Sequence, residues 1–451
     1  MLRTISLFTL LVAVAGAAWV VHPVDTAGTV PRGWWTSMRV SGEDVHIAYA
    51  RHTNTSPQQT TIGYALSTDL GESWTVETVD TSSNYGTGYA LLGWHRGGLD
   101  LEADGTPQIA YTVESGFGTY CMLARRAGPG TWDLDTVERR TNQPYIYHDA
   151  DLKIGADTRT RVVYTYQGAG VRFARSDTDG WFRRDMALGN YYGVGLELDS
   201  ADNPHVVHAR YTDTRYAYSS NGGTSWTYEV VDSSSFWHVD IDLDDESRPY
   251  VAYIRANEHT RFARRDGSND WTTFYVYMGG PNCCRPSIYC TPGSDNINAC
   301  FYPYMALPAV YRAVTTDRGA SWNDEQVALT GGVYASYSCP DFVEDSEGRY
   351  VAFQSPGRKL SFAIDANTGV AGSPGEPVER VRVSPTLCRA RALIRLAQPA
   401  REVSLHDASG RLVRTIHGRG RTELHLDVTD LGPGVYLVMA GAAQGRLLVT
   451  P

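Results

Sequence analysis

The sequence predicts an all-β protein: a ring of seven four-stranded sheets, followed by a small separate β-sandwich. Three observations carry that expectation. A turn of the form Ser/Thr-x-Asp/Asn-x-Gly-x-x-Trp is spelled three times, at residues 67–74, 219–226 and 315–322. Tryptophans recur at positions 74, 132, 181, 226, 271 and 322, at intervals of 45 to 58 residues. A short strand ending on a ring recurs seven times, closing on Tyr49, Tyr111, Tyr164, His208, Tyr253, Phe301 and Phe353. A period of roughly 40–50 residues with several strands per unit is that of a seven-bladed β-propeller.

In chain order, residues 1–18 come first. Arg3, an apolar run from Leu7 to Ala15 and the small residues Ala15, Gly16, Ala17 and Ala18 make a secretory signal-peptide pattern. Residues 19–365 hold the repeats. Each unit reads as an inner strand (LDLEAD, LELDSAD, IDLDDE), a turn, the ring-ended strand, a third strand (IGYALS, VRFARS, RYAYSS) and a fourth strand opened by Trp (WTVETV, WTYEVV). Alternation of apolar and polar residues supports the strands. In the repeated turn Asp69, Asn221 and Asp317 are expected to accept backbone N–H bonds. Gly71, Gly223 and Gly319 supply a positive φ there. Trp74, Trp226 and Trp322 bury a large ring between layers. Weaker versions of the turn end at Trp132, Trp181 and Trp271.

Seven ring-ended strands meet only six such turns. The seventh unit stops after KLSFAID, without a fourth strand. WVVHPVD, starting at Trp19, matches WTVETVD at Trp74, so residues 19–25 are expected to complete the last blade and remove an open sheet edge. Residues 366–379 read as a Gly/Pro-rich linker, and residues 380–451 as a small β-sandwich.

Composition narrows the function. The 451 residues are 42% hydrophobic and 20% charged, as in globular proteins. They include 28 Tyr and 11 Trp against 11 Phe, rings that suit half-buried sheet surfaces and carbohydrate ligands. A net charge of −10 without a basic run gives no support to a nucleic-acid partner. Seven cysteines fit an oxidising route. Cys290 and Cys300 flank a hairpin-like TPGSDNINA and are expected to form a disulfide; Cys283, Cys284 and Cys339 offer a second bridge. No Cys/His pattern has zinc-site spacing, so no metal and no other cofactor is expected. The chain is expected to be a monomer.

The repeated turns resemble the Asp-box of sialidase-like β-propellers, where the motif is an outer structural turn. The resemblance covers residues 19–365. It implies the fold and leaves function open among glycosidases, lectin-like proteins, receptors and assembly factors. Arg32 in VPRGWW and Arg39 in SMRVSG do not sit in the aromatic-Arg-Ile/Leu-Pro segment of sialidases, so no catalytic residue is carried over. Residues 380–451 resemble a type IX secretion C-terminal sorting domain through VRVSPTLCRARALIRLA, VSLHDASGRLVRTI and LDVTDLGPGVYLVMAG. That resemblance implies export across an outer membrane and contact with the type IX machinery, leaving the protein secreted or on the cell surface.

Aligning the units on the ring-ended strands and stepping back sixteen positions gives Gly33, His95, His148, Tyr192, Trp237, Arg285 and Tyr337, with Trp34 and His238 as neighbours. These positions are expected at the mouth of the central channel. The side chains there either stack on and hydrogen-bond a ligand or simply fill the mouth. The pairs His148-Asp149 and His238-Val239-Asp240 place an imidazole beside a carboxylate, the minimum for general-base chemistry. The string Asp242 to Ser247 reads as a turn with solvated charges. Three function classes remain: a glycan-binding or surface-protein-binding propeller, a sialidase-like glycoside hydrolase, and an interaction scaffold.

Overall fold

The computed structural model describes residues 19–26, 32–52, 60–85, 90–92, 97–115, 118–140, 149–166, 170–187, 193–210, 212–234, 236–255, 260–276, 284–302, 309–329, 339–345, 348–356, 358–365, 381–384, 387–388, 391–407, 411–432, 434–440 and 443–449. The chain forms two compact units, Met1–Asp365 and Ala366–Pro451.

The first unit is a seven-bladed propeller of antiparallel sheets. Blade 1 pairs Arg32–Ser41, Asp44–His52, Thr60–Ser67 and Thr75–Thr81 in that order. Blades 3 to 6 begin with the strands Ala150–Ile154, Gly193–Leu198, Phe236–Leu243 and Cys284–Cys290 and repeat the order. Blade 2 begins with Gly98–Leu101 and carries an extra short strand, Ala90–Leu92, beside its second strand. Blade 7 takes Asp341–Glu344, Arg349–Ser355 and Lys359–Asp365 from the end of the unit and Trp19–Asp25 from its start. Trp19 pairs with Asp365, His22 with Phe362 and Asp25 with Leu360, so the fourth strand is the one matched above by its sequence.

Each blade buries its faces against its two neighbours. First strands touch all the way round, blade 7 meeting blade 1. The described apolar core of the unit falls into seven clusters, one per pair of adjacent blades. Stability is therefore spread around the ring rather than held in one centre.

The repeated turn is a backbone-binding device. Ser67 Oγ donates to Asp69 Oδ1 (2.7 Å) and accepts the Gly71 N–H (2.8 Å). Asp69 accepts the Ser73 N–H (2.9 Å), and Trp74 Nε1 donates to the Gly71 carbonyl (3.0 Å). The same bonds recur around Asn221, where Gly223 N–H reaches Ser219 Oγ at 2.8 Å and Trp226 Nε1 reaches the Gly223 carbonyl at 3.1 Å. Around Asp317, Gly319 N–H reaches Thr315 Oγ1 at 2.9 Å. Gly71, Gly223 and Gly319 have φ of +92°, +90° and +98°, as the turn requires.

Two kinds of blade interface recur around the ring. Where the full turn occurs, its Trp packs edge-on against a Phe on the third strand of the preceding blade: Trp74 on Phe362, Trp226 on Phe173 and Trp322 on Phe262, with centroids 5.1–5.5 Å apart. At two of the three degenerate turns a Tyr takes that position: Trp132 packs on Tyr64 and Trp271 on Tyr216. Each of these indoles donates to a carboxylate of the preceding blade, Glu77 (3.0 Å) or Glu229 (2.9 Å). Arg126 and Arg265 complete the pairs with the same glutamates. His46 and His205 meet the Tyr64 and Tyr216 hydroxyls at 2.7 and 2.6 Å.

The second unit is a small β-sandwich. Arg391–Asp407 and Leu412–Asp427 are long paired strands whose register breaks between Arg395 and Ala400. Ile394, Val403, Leu405, Leu424, Leu426, Tyr436, Val438 and Leu447 fill one core between them. The Asp407 carboxylate accepts the Arg411 N–H (3.1 Å) and Nε–H (2.9 Å).

The expected disulfide is not formed. Cys290 and Cys300 are both buried free thiols. The strands do pair, but the turn between them is short, so Cys290 stands opposite Ile297 and Cys300 opposite Ser287. A bridge needs the two residues to face each other with Cβ atoms about 4 Å apart. Cys339 likewise forms no disulfide among the described residues, while Cys283 and the side chain of Cys284 lie outside them.

Candidate functional site at the channel mouth

Alternation along the first strands sends every second side chain toward the axis. Met38, Leu99, Leu152, Leu196, Ile241, Ile288 and Phe342 are buried between blades. The residues beside them form layers along the channel. One layer holds Ser37, Asp151, Asp240, Ser287 and Asp341, with Gly98 and Gly195 at the remaining positions. The next holds Arg39, Asp100, Lys153, Glu197, Asp242 and Tyr289.

The first layer laces the blades together. Met38 N–H donates to Asp341 Oδ2 (2.7 Å), Leu99 N–H to Ser37 Oγ (3.0 Å), Leu196 N–H to Asp151 Oδ2 (3.0 Å) and Ile288 N–H to Asp240 Oδ2 (3.0 Å). Each bond crosses from one blade to the next. It satisfies a backbone donor that the innermost strand cannot pair within its own sheet. In the second layer Arg39 pairs with Asp100 (3.0 Å) and Lys153 with Glu197. Asp242 accepts the Cys290 N–H (2.7 Å) and Leu243 N–H (2.8 Å). Burial, together with the Glu197 charge, pushes its carboxyl well above the usual range. Asp242 thus belongs to the channel lining and not to the solvated turn expected from the sequence; that turn is made by Asp244 to Ser247, where Ser247 N–H donates to the Asp244 carbonyl.

Above the first layer lies a cavity of about 10 Å³, lined by Thr36, Asp149, His238, Ser287, Cys339 and Asp341 with Val239 and two prolines. Five blades contribute. The Ser287 side chain is buried, and its hydroxyl has no hydrogen-bond partner among the described residues. Thr36 Oγ1 donates to the Cys339 carbonyl (2.6 Å), tying blade 1 to the start of blade 7. Lining groups offer acceptors, a hydroxyl and an imidazole; among the described residues they include no Lys or Arg. No group of three or more His, Cys, Asp or Glu is placed to hold a metal ion among the described residues.

His238 is the one residue of the sequence-derived set whose side chain is described, and it lines this cavity, 7% exposed. Trp34, Trp237 and Arg285 lie on first strands, but their side chains fall outside the described residues. His95, His148, Tyr192 and Tyr337 lie outside them altogether. Asp149, flagged beside His148, lines the same cavity as His238. Thr36, Ser287, Cys339 and Asp341 were not foreseen. The signal for Ser287 and Asp341 was the alternation itself, since they hold the place that Asp240 holds in VDIDL.

No family model and no curated protein matches this sequence. Solved structures do resemble the chain at low identity. A protein of unknown function from Dyadobacter fermentans is 14% identical, with a TM-score of 0.48 over 76% of this chain and 97% of its own. The Hadza microbial sialidase Hz136 is 12% identical, with a TM-score of 0.46 over 75% of this chain and 66% of its own. Trypanosoma rangeli sialidase in complex with sialic acid is 9% identical, with a TM-score of 0.44 over 96% of this chain and 88% of its own.

Proposed function

We propose that the protein is an exported propeller that binds a glycan at the channel mouth, and that its turns descend from the Asp-box type. One observation carries the binding site. The Ser287 hydroxyl is buried without a partner among the described residues, beside a cavity to which five blades contribute. An orphan buried hydroxyl costs about 1–3 kcal/mol, and a ligand or bound water recovers it. The abundance of Tyr and Trp supports a sugar, whose faces stack on rings.

The test is a glycan array with the mature chain. Ser287→Ala is expected to weaken retention about fivefold, the worth of one neutral hydrogen bond. Trp237→Ala is expected to weaken it further, with the melting temperature nearly unchanged for both. Retention unaffected by either change would remove the mouth from consideration. For export, we propose that residues 1–18 and 380–451 act as signal and sorting segments. A chain cut after residue 379 is expected to collect, folded, in the periplasm; normal surface display would refute that role.

A further inference from the structure

We infer that the mouth selects a ligand carrying a primary ammonium group, supplied by an amino sugar; this rests on the glycan-binding reading above. Size comes first. The cavity of about 10 Å³ has room for about one water-sized group. An ammonium is of that size, whereas an acetamido group or a carboxylate is larger. Charge comes second. Asp149 and Asp341 line the cavity, and Asp151 and Asp240 lie in the layer below. The cations of the second layer, Arg39 and Lys153, are engaged with Asp100 and Glu197. Hydrogen bonding comes third. An ammonium has three donors and no acceptor. The Ser287 hydroxyl, buried and without a partner among the described residues, can accept one of them, and the carboxylates beside it can take the others.

The experiment is calorimetry on the mature full-length chain with four probes: a glucosamine tetramer, its N-acetylated counterpart, a galacturonic acid tetramer and tetralysine. The glucosamine tetramer is expected to bind at least about tenfold tighter than the acetylated one at 20 mM salt, the gap closing at 500 mM as charge is screened. The acid is expected not to bind. Asp149→Asn should bring the amine and acetyl affinities together, while Ser287→Ala weakens both. Acetylated and free tetramers binding alike, or a preference that survives Asp149→Asn, would overturn the inference and leave the glycan site standing. Tetralysine binding tighter than the sugar would keep the ammonium and remove the glycan. If no probe binds, both readings fall.

Discussion

Replacing Gly71 with alanine probes the repeated turn at the seam where the ring closes. Gly71 belongs to blade 1, but a Cβ added there would meet Phe362 of blade 7 at 2.5 and 2.6 Å. Phe362 is fully buried and held edge-on against Trp74, so the ring cannot step aside. The backbone sits at φ +92°. Two costs therefore add: about 1–2 kcal/mol for a side chain in the left-handed region and about 1–3 kcal/mol for overpacking. Gly105→Ala separates them, because Gly105 has φ +84° with nothing within 4 Å of its added Cβ. Urea unfolding of the mature chain is the assay. Gly105→Ala is expected to cost only the first term, and Gly71→Ala the sum, roughly 2–5 kcal/mol. Phe362→Leu, destabilising alone, should cost less in the Gly71→Ala background. Equal costs for Gly71→Ala and Gly105→Ala would refute the claim that the glycine is there for the neighbouring blade.

Two pH effects follow from the buried titrating groups. Burial lowers His46 and His205 to about 4, with Arg126 adding to the shift at His46, and lowers His208 to about 3. The unfolded chain binds these protons more readily, so stability is complete above about pH 6.5 and falls as pH drops toward 4. Each is worth about 2 kcal/mol between pH 7 and 5, and His46→Gln with His205→Gln should flatten that slope in urea titrations; an unchanged slope would contradict the assignment. Asp242 works in the opposite direction. Its raised folded-state pKa favours the protonated carboxyl, so its contribution is lost as pH rises from the ordinary carboxylate range. Asp242→Asn is expected to reduce the decline in stability from pH 5 to 8; a steeper decline would be the wrong sign.

The fold was legible because each blade repeats its own chemistry. The tight glycines, the Trp after each turn and the ring-ended strands all answer local needs that a sequence displays. Even ring closure was readable, since WVVHPVD copies the fourth strand that blade 7 lacks. Contacts between blades were not. The choice of Phe or Tyr on a third strand tracks the turn of the next blade, as at Phe173 and Tyr216, yet those partners lie dozens of residues apart. The Cys290–Cys300 spacing suggested a facing pair, and a register set by the turn through Thr291 and Asn296 placed them three residues out of step. At the mouth, His238 was readable as a ring near a carboxylate. Ser287 was not, because a serine announces nothing until its strand direction and burial are known.

A crystal structure of the protein grown with a glucosamine oligomer tests the central claim most directly. An amino group is expected in the mouth cavity within about 3 Å of the Ser287 hydroxyl, the range of a hydrogen bond. A cavity closed by the protein's own side chains, with the sugar bound elsewhere or absent, would contradict it.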